Sequence, residues 1–92
     1  MLNKSVSLIM SAYNEEATVG KVLEKLRKLE YITEMIIVDN GSTDNTYQVI
    51  MNSQKYDERI KIYQIPKNKG LGCGLKLAIS HSKGEIVVRQ DA

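Results

Sequence analysis

Met35-Ile36-Ile37-Val38-Asp39-Asn40-Gly41-Ser42-Thr43-Asp44 decides the fold. Its first four residues are a short apolar run, the pattern of a strand buried in a sheet. Asp39 to Ser42 then make a turn, with Gly41 allowing a sharp change of direction. Thr43 or Asp44 can cap a following helix that presents Tyr47, Ile50 and Met51 inward. One strand, one turn and one helix in this order is the repeating unit of an α/β protein.

The same unit recurs on both sides. Upstream, Ser5 to Met10 reads as a first strand. Asn14-Glu15-Glu16 supplies a cap and first-turn acids, and Val19, Val22, Leu23, Leu26 and Leu29 follow at helical spacing. Gly20 weakens that helix by about 1 kcal/mol relative to alanine, too little to break it. Downstream, Arg59 to Ile65 is a third strand, stopped by Pro66, which has no N–H to give a ladder. Lys67 to Gly74 is a loop entering a third helix with Leu71, Leu75, Ala78 and Ile79 on one face. Glu85 to Gln90 is the fourth strand. Strand–helix alternation predicts right-handed crossovers and a parallel sheet covered on both faces. The expectation is a three-layer α/β sandwich with a Rossmann-like sheet of about four strands in order 3-2-1-4, formed by residues 1–92 as a single domain.

Composition narrows the function. With 42% hydrophobic and 26% charged residues, the 92-residue chain has the make-up of a small globular domain. A net charge of +2, with no Lys/Arg run or aromatic ladder, gives nucleic acid no footing. Cys73 is the single cysteine, which excludes an intrachain disulfide and fits a reducing, cytoplasmic setting. Met1 to Lys4 followed by Val6 to Ala12 faintly imitates a signal peptide, but Ser7 interrupts a short apolar core and a strand explains it better. No stretch approaches the roughly 18 apolar residues of a membrane span.

Polar clusters follow each predicted strand: Ser11 to Glu15, Asp39 to Asp44, Lys67 to Gly74, and Asp91. In an open parallel sheet these positions share one edge, where ligands bind outside the carboxyl ends of the strands. Asp39 can accept from a base N–H or a ribose hydroxyl; Tyr13 can lie beside a base, with Glu15 offered to it. Each segment alone also has a plain reading, as a helix cap or a strand-to-helix turn. Gly70-Leu71-Gly72-Cys73-Gly74 has neither the spacing nor the position of the dinucleotide fingerprint; close helix packing competes with phosphate binding there. His81 and Cys73 carry no assigned chemistry. Val87-Val88-Arg89-Gln90-Asp91-Ala92 would become Asp-x-Asp with one more aspartate. Such a pair holds a divalent metal against a diphosphate, because Mg²⁺ and Mn²⁺ take carboxylate and phosphate oxygens together.

Taken together, Ser11 to Glu16, Ile37 to Asp44, Asn68 to Gly72 and Gly84 to Ala92 resemble the family 2 glycosyltransferases of the GT-A fold. The loop Asn68 to Gly72, with Gly84 to Val88 after it, resembles the branch of dolichol- and polyprenyl-phosphate sugar transferases. The resemblance implies a nucleotide-sugar site in which Ala12, Tyr13 and Glu15 line the nucleoside pocket and Asp39 contacts base or ribose. Asn40 stands where the family often has a second, base-reading aspartate. Asn68 and Gly70 join the binding set, and Asp91 is expected near ribose and metal. The implied partner is a UDP- or GDP-linked sugar and the implied cofactor Mg²⁺ or Mn²⁺, held fully only by a complete Asp-x-Asp. The family's catalytic base lies in its later half, so this chain is expected to be the donor-binding half and inactive alone. The alternatives are a non-catalytic nucleotide-binding or interaction module and, more remotely, a dinucleotide-binding domain. The free side of the fourth strand is expected to promote self-association.

Overall fold

The computed structural model describes residues 4–92, so Met1 to Asn3 of the signal-like start lie outside the described residues. Its strands are β1 (Val6–Ala12), β2 (Glu34–Asn40), β3 (Ile60–Ile65) and β4 (Ile86–Arg89). Its helices are α1 (Val19–Arg27), α2 (Thr46–Gln54) and α3 (Leu71–His81). All strand pairs are parallel and the sheet order is β3-β2-β1-β4. The expected order is therefore observed, and the topological switch falls between β1 and β4.

Alternation along the strands splits the core in two. Leu8, Met10, Met35, Ile37 and Ile60 face α1 and α2, packing with Val19, Leu23, Leu26 and Ile50. Ile9, Ile36, Val38 and Ile65 face α3 and meet Ala78. Two helices on one face and one on the other make the three layers. β2, central and buried along its whole length, carries side chains into both cores.

Three sequence expectations are corrected. Asn14 does not cap α1, whose N-cap position is Thr18, without a side-chain cap bond. Asn14 instead takes a left-handed backbone with φ 50° and reaches sideways to another loop. Tyr47 and Met51 of α2 are only half-buried; Thr46 and Ile50 are the residues that go fully in. On α3, Leu71 and Ile79 are 51% and 52% exposed, while Gly74 and Ala78 form the buried stripe. The helix lies so close to the sheet that a Cβ on Gly74 would overlap the Ser11 side chain. Small residues therefore face the strands and the larger leucine and isoleucine are turned aside.

Two polar devices hold the edge opposite the strand carboxyl ends. Arg59 donates from Nη1 to the carbonyls of Leu29 (2.7 Å) and Ile32 (2.9 Å), and from Nη2 to that of Arg27 (3.0 Å). These groups belong to the last turn of α1 and its exit, where carbonyls lack helical partners. Asp57 accepts from Arg59 Nε at 2.9 Å and pairs with Nη2 at 2.8 Å, which fixes the guanidinium plane. Glu34, buried at the start of β2, accepts from Ser7 Oγ, Lys83 N and Lys61 Nζ. Burial alone pushes its carboxyl up, but those three donors win and hold it at about 2.

Candidate functional site

The four polar clusters lie along the carboxyl edge of the sheet; hydrogen bonds between loops distant in sequence join three of them, and Asp91 bonds to its neighbours Arg89 and Gln90. Asn14 Oδ1 accepts from Thr43 N at 2.8 Å, and Asn14 N donates to Ser42 Oγ at 3.0 Å. Glu15 N donates to Thr46 Oγ1 at 2.8 Å. The β1–α1 and β2–α2 loops are thus one clasped unit. Asp44 completes it: its carboxylate accepts from Thr46 N and Oγ1 and from Glu16 N. The desolvation of Asp44 raises its pKa, but these donors outweigh it and leave the carboxyl below its ordinary value.

Asp39 lies in a row running across three strands. Ala12, Asp39 and Gln64 are register partners on β1, β2 and β3, on the face toward α1 and α2. Asp39 is 1% exposed; Oδ1 accepts from Ser42 N at 3.2 Å and Oδ2 from Gln64 Nε2 at 3.4 Å. Two donors do not fill the roughly four acceptor sites of a carboxylate, so capacity for a further donor remains. The alanine methyl beside it is small, and Tyr13, 43% exposed, stands at the end of the same strand. Glu15 is half-buried, and its carboxylate accepts from Thr18 Oγ1 at 3.0 Å. Ala92 packs against the apolar cluster that includes Ala12.

The β3–α3 loop forms the next wall. Asn68 Oδ1 accepts from Gly70 N at 2.7 Å, a short turn that turns the chain into α3. Asn40, next to Asp39 in sequence, faces the other side of the sheet and bonds to this loop rather than to the Asp39 row. Gly41 has φ 72°, and a Cβ there would overlap the backbone of Lys67 and Asn68. Glycine at 41 is needed twice over, for the turn and for the approach of the two loops.

Asp91 lies just beyond β4, exposed, with Oδ1 3.2 Å from Arg89 Nη2. Its donor chemistry suits a hard divalent cation, but it offers a single carboxylate. Among the described residues no group of three His, Cys, Asp or Glu gathers around a common point. A single carboxylate does not make up an oxygen coordination sphere.

A groove of about 240 Å³ lies elsewhere, between α1 and α2, lined by Leu23, Arg27, Val49 and Tyr56 among others. It lacks the convergence of loops seen at the carboxyl edge. Chemistry, not enclosure, marks the site. Gln64 is absent from the sequence expectations, although its register with Asp39 points to it; Asn14 is expected in the Ser11 to Glu15 cluster as a helix cap and serves instead as the clasp between loops.

Residues 7–92 match the sequence profile of Glycosyl transferase family 2. This chain belongs to glycosyltransferase family 2. The family 2 chain is 36% identical over 88 residues to EpsE of Bacillus subtilis, covering 94% of this chain and 32% of that protein. It is 32% identical over 100 residues to the human dolichyl-phosphate beta-glucosyltransferase, covering 97% of this chain and 31% of that one. It spans about a third of the length of these relatives. Among solved structures it superposes on the Pyrobaculum calidifontis mannosyltransferase PcManGT, in complex with GDP-Man and Mn²⁺. The TM-score is 0.87 at 26% identity, covering 94% of this chain and 26% of that one. For S. aureus TarS 1-349 in complex with UDP-GlcNAc the TM-score is 0.85 at 30% identity, covering 95% of this chain and 26% of that one. The family 2 chain thus has the fold of the N-terminal half of a GT-A glycosyltransferase.

Proposed function

We propose that this chain supplies the donor-binding half of a glycosyltransferase that moves a sugar from a nucleoside-diphosphate sugar to an acceptor. The convergence of four strand-end clusters on one sheet edge carries the reading. Ala12, Tyr13, Glu15 and Asp39 form the nucleoside side of the site. Asn40, Asn68 and Gly70 form its opposite wall, and Asp91 marks where diphosphate and sugar would lie. PcManGT with GDP-Man and TarS with UDP-GlcNAc give the donor class, a UDP- or GDP-linked sugar. The dolichyl-phosphate relatives suggest a polyprenyl phosphate as acceptor class. The use of a single cysteine fits a reducing compartment, and we infer a cytoplasmic setting.

In the transfer, the bond from the anomeric carbon to the diphosphate oxygen breaks and a bond to the acceptor oxygen forms. A phosphate acceptor is already ionised at neutral pH, so its oxygen attacks without first losing a proton, whereas a hydroxyl acceptor would pass its proton to a base. Asp39 orients the nucleoside by accepting a hydrogen bond from base or ribose. The clasped loops hold Tyr13 and Glu15 in place before the donor arrives, so less ordering is needed on binding. Asp91 would hold a divalent cation, which when bound neutralises the departing diphosphate. Arg89, 3.2 Å from that carboxylate, would compete with a cation for it.

Calorimetric titration of UDP and GDP, each with and without Mn²⁺, tests the proposal. Binding of one nucleotide, tightened by the metal and weakened about tenfold or more by Asp39→Ala, is expected from loss of a charge-assisted contact. Binding that ignores both the metal and Asp39→Ala would remove it.

A further inference from the structure

We propose that Asn40 is a positioning residue, which sets the β3–α3 loop of the donor site and does not read the base. The inference rests on the nucleotide-sugar reading and assigns one of its residues a different task. Neighbouring residues on a strand point to opposite faces. Asp39 shares the face of Ala12 and Gln64, whereas Asn40 is the register partner of Ile65 on the α3 side. Asn40 is 2% exposed, and both ends of its amide are committed. Oδ1 accepts from Lys69 N at 3.1 Å and Nδ2 donates to the Gly70 carbonyl at 2.8 Å. Both engaged ends point at the β3–α3 loop, on the side of the sheet away from Asp39.

Close packing surrounds Asn40. Gly41 presses on the backbone of Lys67 and Asn68, and the Gly74 turn of α3 sits against Ser11 and the Asn40 amide. The pair of partners also specifies the residue type. Lys69 N demands an acceptor and the Gly70 carbonyl a donor, and an amide offers one of each. An ionised aspartate would keep the first bond and turn an oxygen against the Gly70 carbonyl. Base discrimination is thereby left to the Asp39 face of the sheet.

The full chain, wild type and with Asn40→Asp or Asn40→Ala, is titrated with UDP and GDP in the presence of Mn²⁺, with amide exchange followed at Lys69. Both variants should weaken UDP and GDP by one common factor of about ten, as expected for loss of a buried hydrogen bond that shapes the site. The ratio of UDP to GDP affinity should stay within about twofold, a difference well below 1 kcal/mol. Lys69 N should exchange about tenfold faster in Asn40→Ala, which removes its acceptor. A UDP-to-GDP ratio that shifts while Lys69 exchange is unchanged would make Asn40 a base reader and overturn the proposal. Unchanged affinity for both nucleotides would overturn it too, since the loop would then not matter to the donor. If Asn40→Ala does not fold, Asn40→Asp carries the affinity ratio, and failure of that ratio to hold is decisive. If wild type binds neither nucleotide, the donor reading fails, whereas Lys69 exchange still separates a loop clamp from a free side chain.

Discussion

Single side chains divide this molecule into an edge that holds it together and an edge that can bind. Arg59 belongs to the first. It ties β3 to the carbonyl end of α1 and is neutralised by Asp57, whose pKa its guanidinium lowers. Arg59→Met leaves Asp57 buried without its partner and the carbonyls unpaired, so a loss of about 3 kcal/mol is expected in urea unfolding. Nucleotide affinity should be unchanged, because the site lies at the other end of the sheet; a loss below about 1 kcal/mol would mean that these bonds are weak. Glu34 gives a pH dependence with a definite sign. Folded, it titrates at about 2, below its ordinary value of 4.5, so the unfolded chain takes up the proton first. Its contribution is present above about pH 4.5 and is lost as pH falls toward 2, amounting to about 3 kcal/mol. Glu34→Gln should flatten that part of the stability profile; a variant with the wild-type slope would show that another carboxylate governs it.

At the scale of elements, the turn after β2 is where sequence and structure agree best. Asp39 to Asp44 was legible because the chemistry of a strand-to-helix turn is local: Asp39 accepts from Ser42 N and Gly41 takes the left-handed region. Gly41→Ala should cost at least about 2 kcal/mol, from left-handed backbone plus overlap with the next loop. Its effect on thermal unfolding would show whether the two loops can separate cheaply. Other features were not legible, for identifiable reasons. Asn14 looked like a cap because caps and inter-loop clasps use the same residue types, and only tertiary structure says which backbone receives the bond. Hydrophobicity alone does not give the buried face of α3, because it predicts burial only when the helix stands at ordinary distance. Here Gly74 and Ala78 allow a closer approach, and Leu71 and Ile79 are pushed outward. Asp39 and Asn40 read as one cluster, yet strand alternation sends them to opposite sides of the sheet.

For the whole molecule, parallel strands in the order β3-β2-β1-β4 place every βα loop on one edge and both Arg59 and Glu34 on the other. β4 pairs with β1 alone among the described residues, and its Ile86, Val87 and Val88 are exposed on both faces. An apolar edge strand invites pairing with another copy. We propose that the 92-residue chain taken alone associates through this strand: sedimentation is expected to show association that grows with concentration and that Val87→Lys suppresses, and a monomer at every concentration would contradict this. The central claim concerns the other edge, and amide NMR during titration with UDP and GDP, with Mn²⁺ present, tests it most directly. The account predicts shifts gathered at Tyr13, Glu15, Asp39, Gly70 and Asp91. Shifts confined to the α1–α2 groove, around Leu23, Arg27, Val49 and Tyr56, would contradict it.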